Sequence, residues 1–228
     1  MKQRILILLL AFALIFNFSV TSVSAKETKV YRKIVSSEKK IALTFDDGPH
    51  PRITREILSI LDRFGVRATF FVIGQNVKNY PDTMKLLASS GCEIGNHTYS
   101  HKNLRKMSEE EIQGEFNKCR ETLLDFGVKP TVMRPPEGFY TDAVCEISKN
   151  MDYDIILWSI DTLDWAHTPS DDIVKNVLDN AENGDIILMH DYLSGYGGTC
   201  EALCKIIPTL LERGFEFVTV SELINGGA

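Results

Sequence analysis

Residues 41–49 read Ile-Ala-Leu-Thr-Phe-Asp-Asp-Gly-Pro. The first five form a short apolar run, and Asp-Asp-Gly-Pro is a turn signal, so the stretch predicts a strand that ends in two carboxylates. Beyond it, Ile53, Ile57, Ile60, Leu61 and Phe64 recur at helical spacing, and Gly65 closes that helix. The same strand–turn–helix unit repeats down the chain. Six further strand-like runs are Ala68–Ile73, Glu93–Asn96, Thr131–Arg134, Tyr153–Ile160, Asp185–Met189 and Phe215–Val220. Helical patterns separate them, among them Pro81–Ser90 and a long helix opened by the capping box Ser108-Glu109-Glu110-Glu111. Others lie near Thr141–Asn150, over Ile173–Ala181 and over Leu203–Leu211. Seven strands alternating with helices predict an α/β fold, a parallel sheet covered by helices. Its natural closure is a barrel or partial barrel, and working residues are expected where strands end and loops begin.

The chain has 228 residues, enough for one medium domain with a sizeable core and short for two. Residues 1–25 carry Lys2 and Arg4, then an apolar stretch from Ile5 to about Val20, then Val23-Ser24-Ala25. That order predicts a secretory signal peptide cut after Ala25 and a secreted product. The competing reading, a retained anchor, needs a longer apolar span. Residues 26–38 read as a polar lead-in and 39–228 as the domain. The formal net charge is −6, and losing Lys2 and Arg4 makes the remainder more negative still. Such a chain is a poor partner for nucleic acid, which demands Lys and Arg, and nothing points to a stable protein partner. Five cysteines, an odd number without a Cys-x-x-Cys pair, read mostly as small buried residues.

Chemistry-bearing residues gather at the predicted strand ends. Asp46 and Asp47 follow the first strand; one carboxylate can ligate a metal while the other takes a proton, although a helix cap explains such a pair equally well. His97 and His101 follow the third strand. Imidazoles four apart share a face if their segment is helical, a spacing that suits one divalent ion; two surface histidines are the plainer reading. Arg134-Pro135-Pro136-Glu137-Gly138 ends the fourth strand, where an arginine can hold a carboxylate deprotonated and aligned or make an ordinary surface ion pair. Asp161-Thr162-Leu163-Asp164-Trp165 ends the fifth. There Asp161 is expected to pair with His190 and raise its pKa, and Trp165 to wall a small apolar substrate group or pack in the core. His190 ends the sixth strand and is a natural proton donor near neutral pH.

Taken in order, Thr44-Phe45-Asp46-Asp47-Gly48, His97-Thr98-Tyr99-Ser100-His101, the Arg134 and Asp161 segments and Leu188-Met189-His190 resemble the polysaccharide deacetylases of the NodB homology type, carbohydrate esterase family four. The resemblance spans about Lys39 to Leu223. It implies a distorted (β/α) barrel of about seven parallel strands and hydrolysis of acetyl groups on a glycan such as peptidoglycan or chitin-like oligomers. It implies that Asp47, His97 and His101 bind one divalent metal ion, commonly zinc, with cobalt, nickel and manganese as alternatives. By the same carry-over Asp46 is the general base, His190 the general acid, Arg134 orients Asp46 and Asp161 tunes His190. Leu188 and Trp165 line the acetyl pocket, with Pro136 and Glu137 beside the substrate. Where Glu137 stands the family often has an aromatic residue, and the backbone N–H of that position is expected to help hold the oxyanion.

Overall fold

The Ile41–Phe45 run is the middle of the central strand of the sheet. In the computed structural model, which describes residues 28–192 and 198–227, this strand is β2 (Lys40–Asp46), and every residue from Ile41 to Asp46 is buried. Burial on both faces is why it reads as a continuous apolar run rather than an alternating one. Beside it lie β3 (Thr69–Val72) and β8 (Ile186–His190), both parallel to it, with Thr44 opposite Thr69 on one side and Leu188 on the other. Outward from β3 come β4 (Glu93–Asn96), β5 (Val132–Met133), β6 (Asp154–Ile156) and β1 (Val30–Tyr31); outward from β8 comes β7 (Ile160–Asp161). A short β9 (Glu216–Phe217) pairs with the start of β2. The expected parallel α/β architecture is therefore present, with nine strands among the described residues rather than the expected seven.

Three departures have local causes. The segment expected to be a polar lead-in supplies β1, which pairs with β6, and Ile34, only 6% exposed, joins the core. The expected strand Tyr153–Ile160 divides into β6 and β7, because Arg134 takes the carbonyls of Ile156 and Leu157 with Nε and Nη2. The last expected strand stops at Phe217: Thr219 and Glu222 form a reciprocal capping box that starts a helix over Val220–Gly226.

β6 and β7 lie near opposite ends of the strand order, yet only Leu157, Trp158 and Ser159 separate them in the chain. Four residue steps span at most roughly 14 Å, so the sheet has to curl until its ends nearly meet. The result is an incomplete, distorted barrel. Around it pack α1 (Ile53–Phe64), α2 (Gly74–Asn79), α3 (Pro81–Ala88), α4 (Glu109–Leu124), α5 (Asp142–Asn150), α6 (Ser170–Asn180), α7 (Thr199–Glu212) and α8 (Val220–Gly226). The main core lies between the sheet and α1, α6 and α7, where Ile57, Leu61, Ile173, Val177, Leu203 and Ile206 meet Leu43, Phe45 and Ile187. All five cysteines are free thiols, and Cys119 and Cys200 are buried as packing residues. No helix among the described residues is long and apolar enough to cross a membrane. The segment expected to be a signal peptide lies outside the described residues.

Candidate active site

The carboxylates after β2 point to two partners. Asp46, 4% exposed, ends the strand, and its Oδ1 accepts Arg134 Nη1 at 2.7 Å. Arg134 is wholly buried. Its other donors go to Thr44 Oγ1 and to the carbonyls of Ile156 and Leu157, and its guanidinium lies 4.3 Å from the Phe71 ring centroid. A cation so thoroughly engaged cannot swing away, so it fixes the rotamer of Asp46. Asp47 takes a left-handed backbone conformation, φ 78°, which turns its side chain away from the strand direction. Asn76 Nδ2 steadies that turn by donating to the Asp47 carbonyl at 2.7 Å.

Asp47 Oδ1 stands 3.4 Å from His97 Nε2 and 3.3 Å from His101 Nε2. The expected helical route to this meeting is not the one the chain takes. Thr98 and His101 have positive φ, 66° and 53°, and the segment is an irregular loop. Glu115 on α4 shapes it, accepting the N–H groups of Tyr99 and Ser100 and the hydroxyl of Ser100. His97 Nδ1 donates to the Arg134 carbonyl at 2.7 Å, since a carbonyl can only accept. Burial opposes charge on His97, but Asp46 and Asp47 raise its pKa above the ordinary 6.5; a bound cation would displace that proton, and the Nδ1 bond then leaves the Nε2 lone pair facing Asp47.

These residues fit a divalent cation. One ligand atom from each of Asp47, His97 and His101 lies within 4.8 Å of the others, and Asp47 Oδ1 is buried with no hydrogen-bond partner among the described residues. A carboxylate oxygen and two imidazole nitrogens are a donor set for zinc or a similar ion, and three protein ligands leave positions open for water and substrate. Burial works against charge on Asp47, but His97, His101 and His190 hold its carboxyl below the ordinary 3.8. Burial and the charge of His97 hold His101 below the ordinary 6.5. Both groups thus keep the ligating form across the neutral range.

The partner of His190 corrects the expectation. Asp164, not Asp161, receives His190 Nδ1, at 2.7 Å, and also accepts the His190 N–H and the Thr199 hydroxyl, both at 2.8 Å. The residues after β7 make a sharp turn with Leu163 at φ 56°, and this buries Asp164 while leaving Asp161 at the pocket. Asp161 Oδ1 instead accepts the Leu163 N–H at 2.9 Å and Trp165 Nε1 at 3.4 Å. Two aspartates three apart looked alike in the sequence, and only the turn distinguishes them. Burial pulls His190 down, but the hydrogen bond and charge of Asp164, with Asp46 and Asp47, push it up to about 9.

A cavity of about 470 Å³ gathers these groups, lined by Asp46, Asp47, His97, His101 and His190. Leu188, Glu137, Asp161, Trp165 and Trp158 complete the wall. Trp165 is 53% exposed at the rim, and Glu137 occupies a left-handed turn, φ 58°. Pro136 is buried in that turn and does not line the cavity. Trp158 had no sequence signal; it reaches the pocket because the chain crosses from β6 to β7 there.

The profile of the polysaccharide deacetylase family matches residues 33–156. A peptidoglycan-N-acetylglucosamine deacetylase of Bacillus cereus is 39% identical over 195 residues, 85% of this chain and 92% of its own length. A crystal structure of the Bc1960 peptidoglycan N-acetylglucosamine deacetylase superimposes with a TM-score of 0.84 at 37% identity, covering 86% of this chain and 92% of that one. A Bacillus anthracis protein described as a pseudoenzyme of carbohydrate esterase family four matches with a TM-score of 0.81 at 29% identity, over 86% of this chain and 69% of that one. With its profile matched over more than half the length and a near-full-length relative at 39% identity, the chain belongs to the polysaccharide deacetylase family.

Proposed function

We infer that this chain hydrolyses the N-acetyl group of N-acetylglucosamine units in peptidoglycan, using one divalent cation, zinc in the first instance. The observation that carries the reading is one pocket holding a cation-ready Asp47–His97–His101 cluster, a separately braced Asp46 and a proton-bearing His190. When bound, the cation lowers the pKa of water and polarises the acetyl carbonyl. Arg134 occupies Asp46 Oδ1, and the other oxygen, Oδ2, lies 3.7 Å from His97 Nε2, beside the cation cluster, where it can take a proton from an attacking water. His190, with Nδ1 committed to Asp164, delivers the proton on Nε2 to the departing amine, which leaves poorly without it. Leu188 and Trp165 line the same cavity, where they would flank the acetyl group, and the family resemblance implies that the Glu137 backbone N–H helps to hold the oxyanion.

Family membership alone does not make a chain active, as the pseudoenzyme relative illustrates. The presence of both Asp46 and His190 supports turnover. The relatives described as peptidoglycan N-acetylglucosamine deacetylases favour that glycan over the alternatives, chitin oligomers and the O-acetyl groups of xylan. Export after cleavage near Ala25 would bring the protein to such a substrate, and fractionation of the producing cells should find the shortened chain outside the cytoplasm.

The test is acetate release from peptidoglycan, chitin oligomers and acetyl-xylan by zinc-loaded protein. Release is expected from peptidoglycan first, and Asp46→Asn should reduce it by about 10²- to 10⁴-fold. Release from acetyl-xylan alone would move the chain to the esterases. Glycan binding without release from any of the three would make it a binding protein.

A further inference from the structure

Asp191 directly follows the proton donor His190, but its side chain lies elsewhere, beneath the turn that carries Asp47. It is wholly buried. Its Oδ2 accepts the Thr54 hydroxyl at 2.5 Å, and Thr54 Oγ1 in turn accepts the His50 N–H at 2.7 Å. Its Oδ1 is buried without a hydrogen-bond partner among the described residues. Burying a carboxyl with one oxygen unpartnered is unfavourable, so such a group calls for an explanation.

The position of Gly48 supplies one. A Cβ placed on Gly48 would stand 2.1 Å from Asp191 Oδ2 and 2.4 Å from Oδ1. The carboxyl therefore packs directly against the backbone that follows Asp47, and only glycine permits the approach. Asp47 itself sits in a region that non-glycine residues rarely occupy and that persists only where the surroundings over-determine it. Asn76 holds the Asp47 carbonyl, the Ile73 N–H holds the Gly48 carbonyl at 2.9 Å, and the Asp191 N–H holds the Asp46 carbonyl at 3.1 Å. The Asp191 carboxyl closes the remaining side and is tied through Thr54 to His50, where the turn ends.

We propose that Asp191 is a positioning residue for the cation: packed beneath Gly48 and linked through Thr54 to His50, it holds Asp47 in the conformation that brings its carboxylate to His97 and His101. The inference rests on the cation site described above and is independent of which glycan is deacetylated.

The experiment is a zinc titration of the full chain against a competing fluorescent chelator, with melting temperature measured in parallel. Asp191→Ala is expected to raise the zinc dissociation constant about tenfold or more, the range seen when groups supporting metal ligands are removed. Thr54→Val should move it the same way by less. Asp185→Ala is the control: Asp185 is also buried, just before the opposite end of β8, and bonds to Ser159 and to the Glu182 N–H. It should lower the melting temperature while leaving zinc affinity within about twofold of wild type. Unchanged zinc affinity in folded Asp191→Ala protein would overturn the proposal, and should that variant fail to fold, unchanged affinity in Thr54→Val overturns it instead. A wild-type chain that binds no zinc would overturn the cation site itself, a result distinct from the first two.

Discussion

Asp161 and Asp164 are the same side chain three residues apart, and they do different work because the turn after β7 buries one and leaves the other at the pocket. Asp164→Asn removes the charge that holds His190 up to about 9. The alkaline limb of the pH–rate profile for acetate release should then fall by about 1 to 3 pH units, while Asp161→Asn should leave that limb in place. The same pair affects folding. Because His190 has a folded-state pKa above its ordinary 6.5, its stabilising contribution is complete below pH 6.5 and is lost as pH rises through about 9. Urea titrations of the metal-free protein across that window should show stability falling toward alkaline pH, and less steeply in Asp164→Asn. Arg134→Met should be more damaging. It leaves the buried Asp46 charge without its partner, and a loss of about 3–5 kcal/mol in urea unfolding is expected. Among single residues, Asp46, Asp47, His97, His101, Arg134 and His190 were all legible as candidates. Their types and strand-end positions are sequence properties, whereas the choice between two nearby aspartates depends on backbone dihedrals that no residue type dictates.

At the scale of elements, the histidine loop shows how a helix far from the chemistry shapes it. Ser108 and Glu111 cap α4 reciprocally, and one turn further on Glu115 holds the backbone of Tyr99 and Ser100 between the two histidines. Glu115→Ala should therefore loosen His101 relative to His97 and weaken zinc binding about 10- to 100-fold, measured by chelator competition. Ser108→Ala, at the start of the same helix, should cost about 1 kcal/mol of stability with little effect on zinc. Long periodic elements such as α1, α4 and α7 were readable because amphipathic spacing persists over several turns. The short ones were not. β1 and β9 contain two residues each, too few for any period, and α8 begins at the last residue of an apolar run and is only seven residues long, although its Thr219–Glu222 capping box was visible in the letters.

For the molecule as a whole, the barrel brings strand ends from distant parts of the chain onto one pocket, and a cation held by Asp47, His97 and His101 would join two of its loops. Chelation should abolish acetate release, and zinc should restore it. Zinc at about 100 times its dissociation constant should also stabilise the fold by about 2.7 kcal/mol, seen as a raised melting temperature that returns when the metal is removed. Read alone, the sequence determined the alternation of strands and helices, the parallel α/β class and the residue types waiting at the strand ends. Those follow from hydrophobic period and turn chemistry, which act over a few neighbours. Tertiary structure decided that Leu157, Trp158 and Ser159 span the barrel's gap, that Trp158 faces the pocket, that His190 takes Asp164 and that Asp191 lies beneath Gly48. Each of these depends on curvature and left-handed turns set by contacts between residues far apart in the chain, and local sequence carries no term for them.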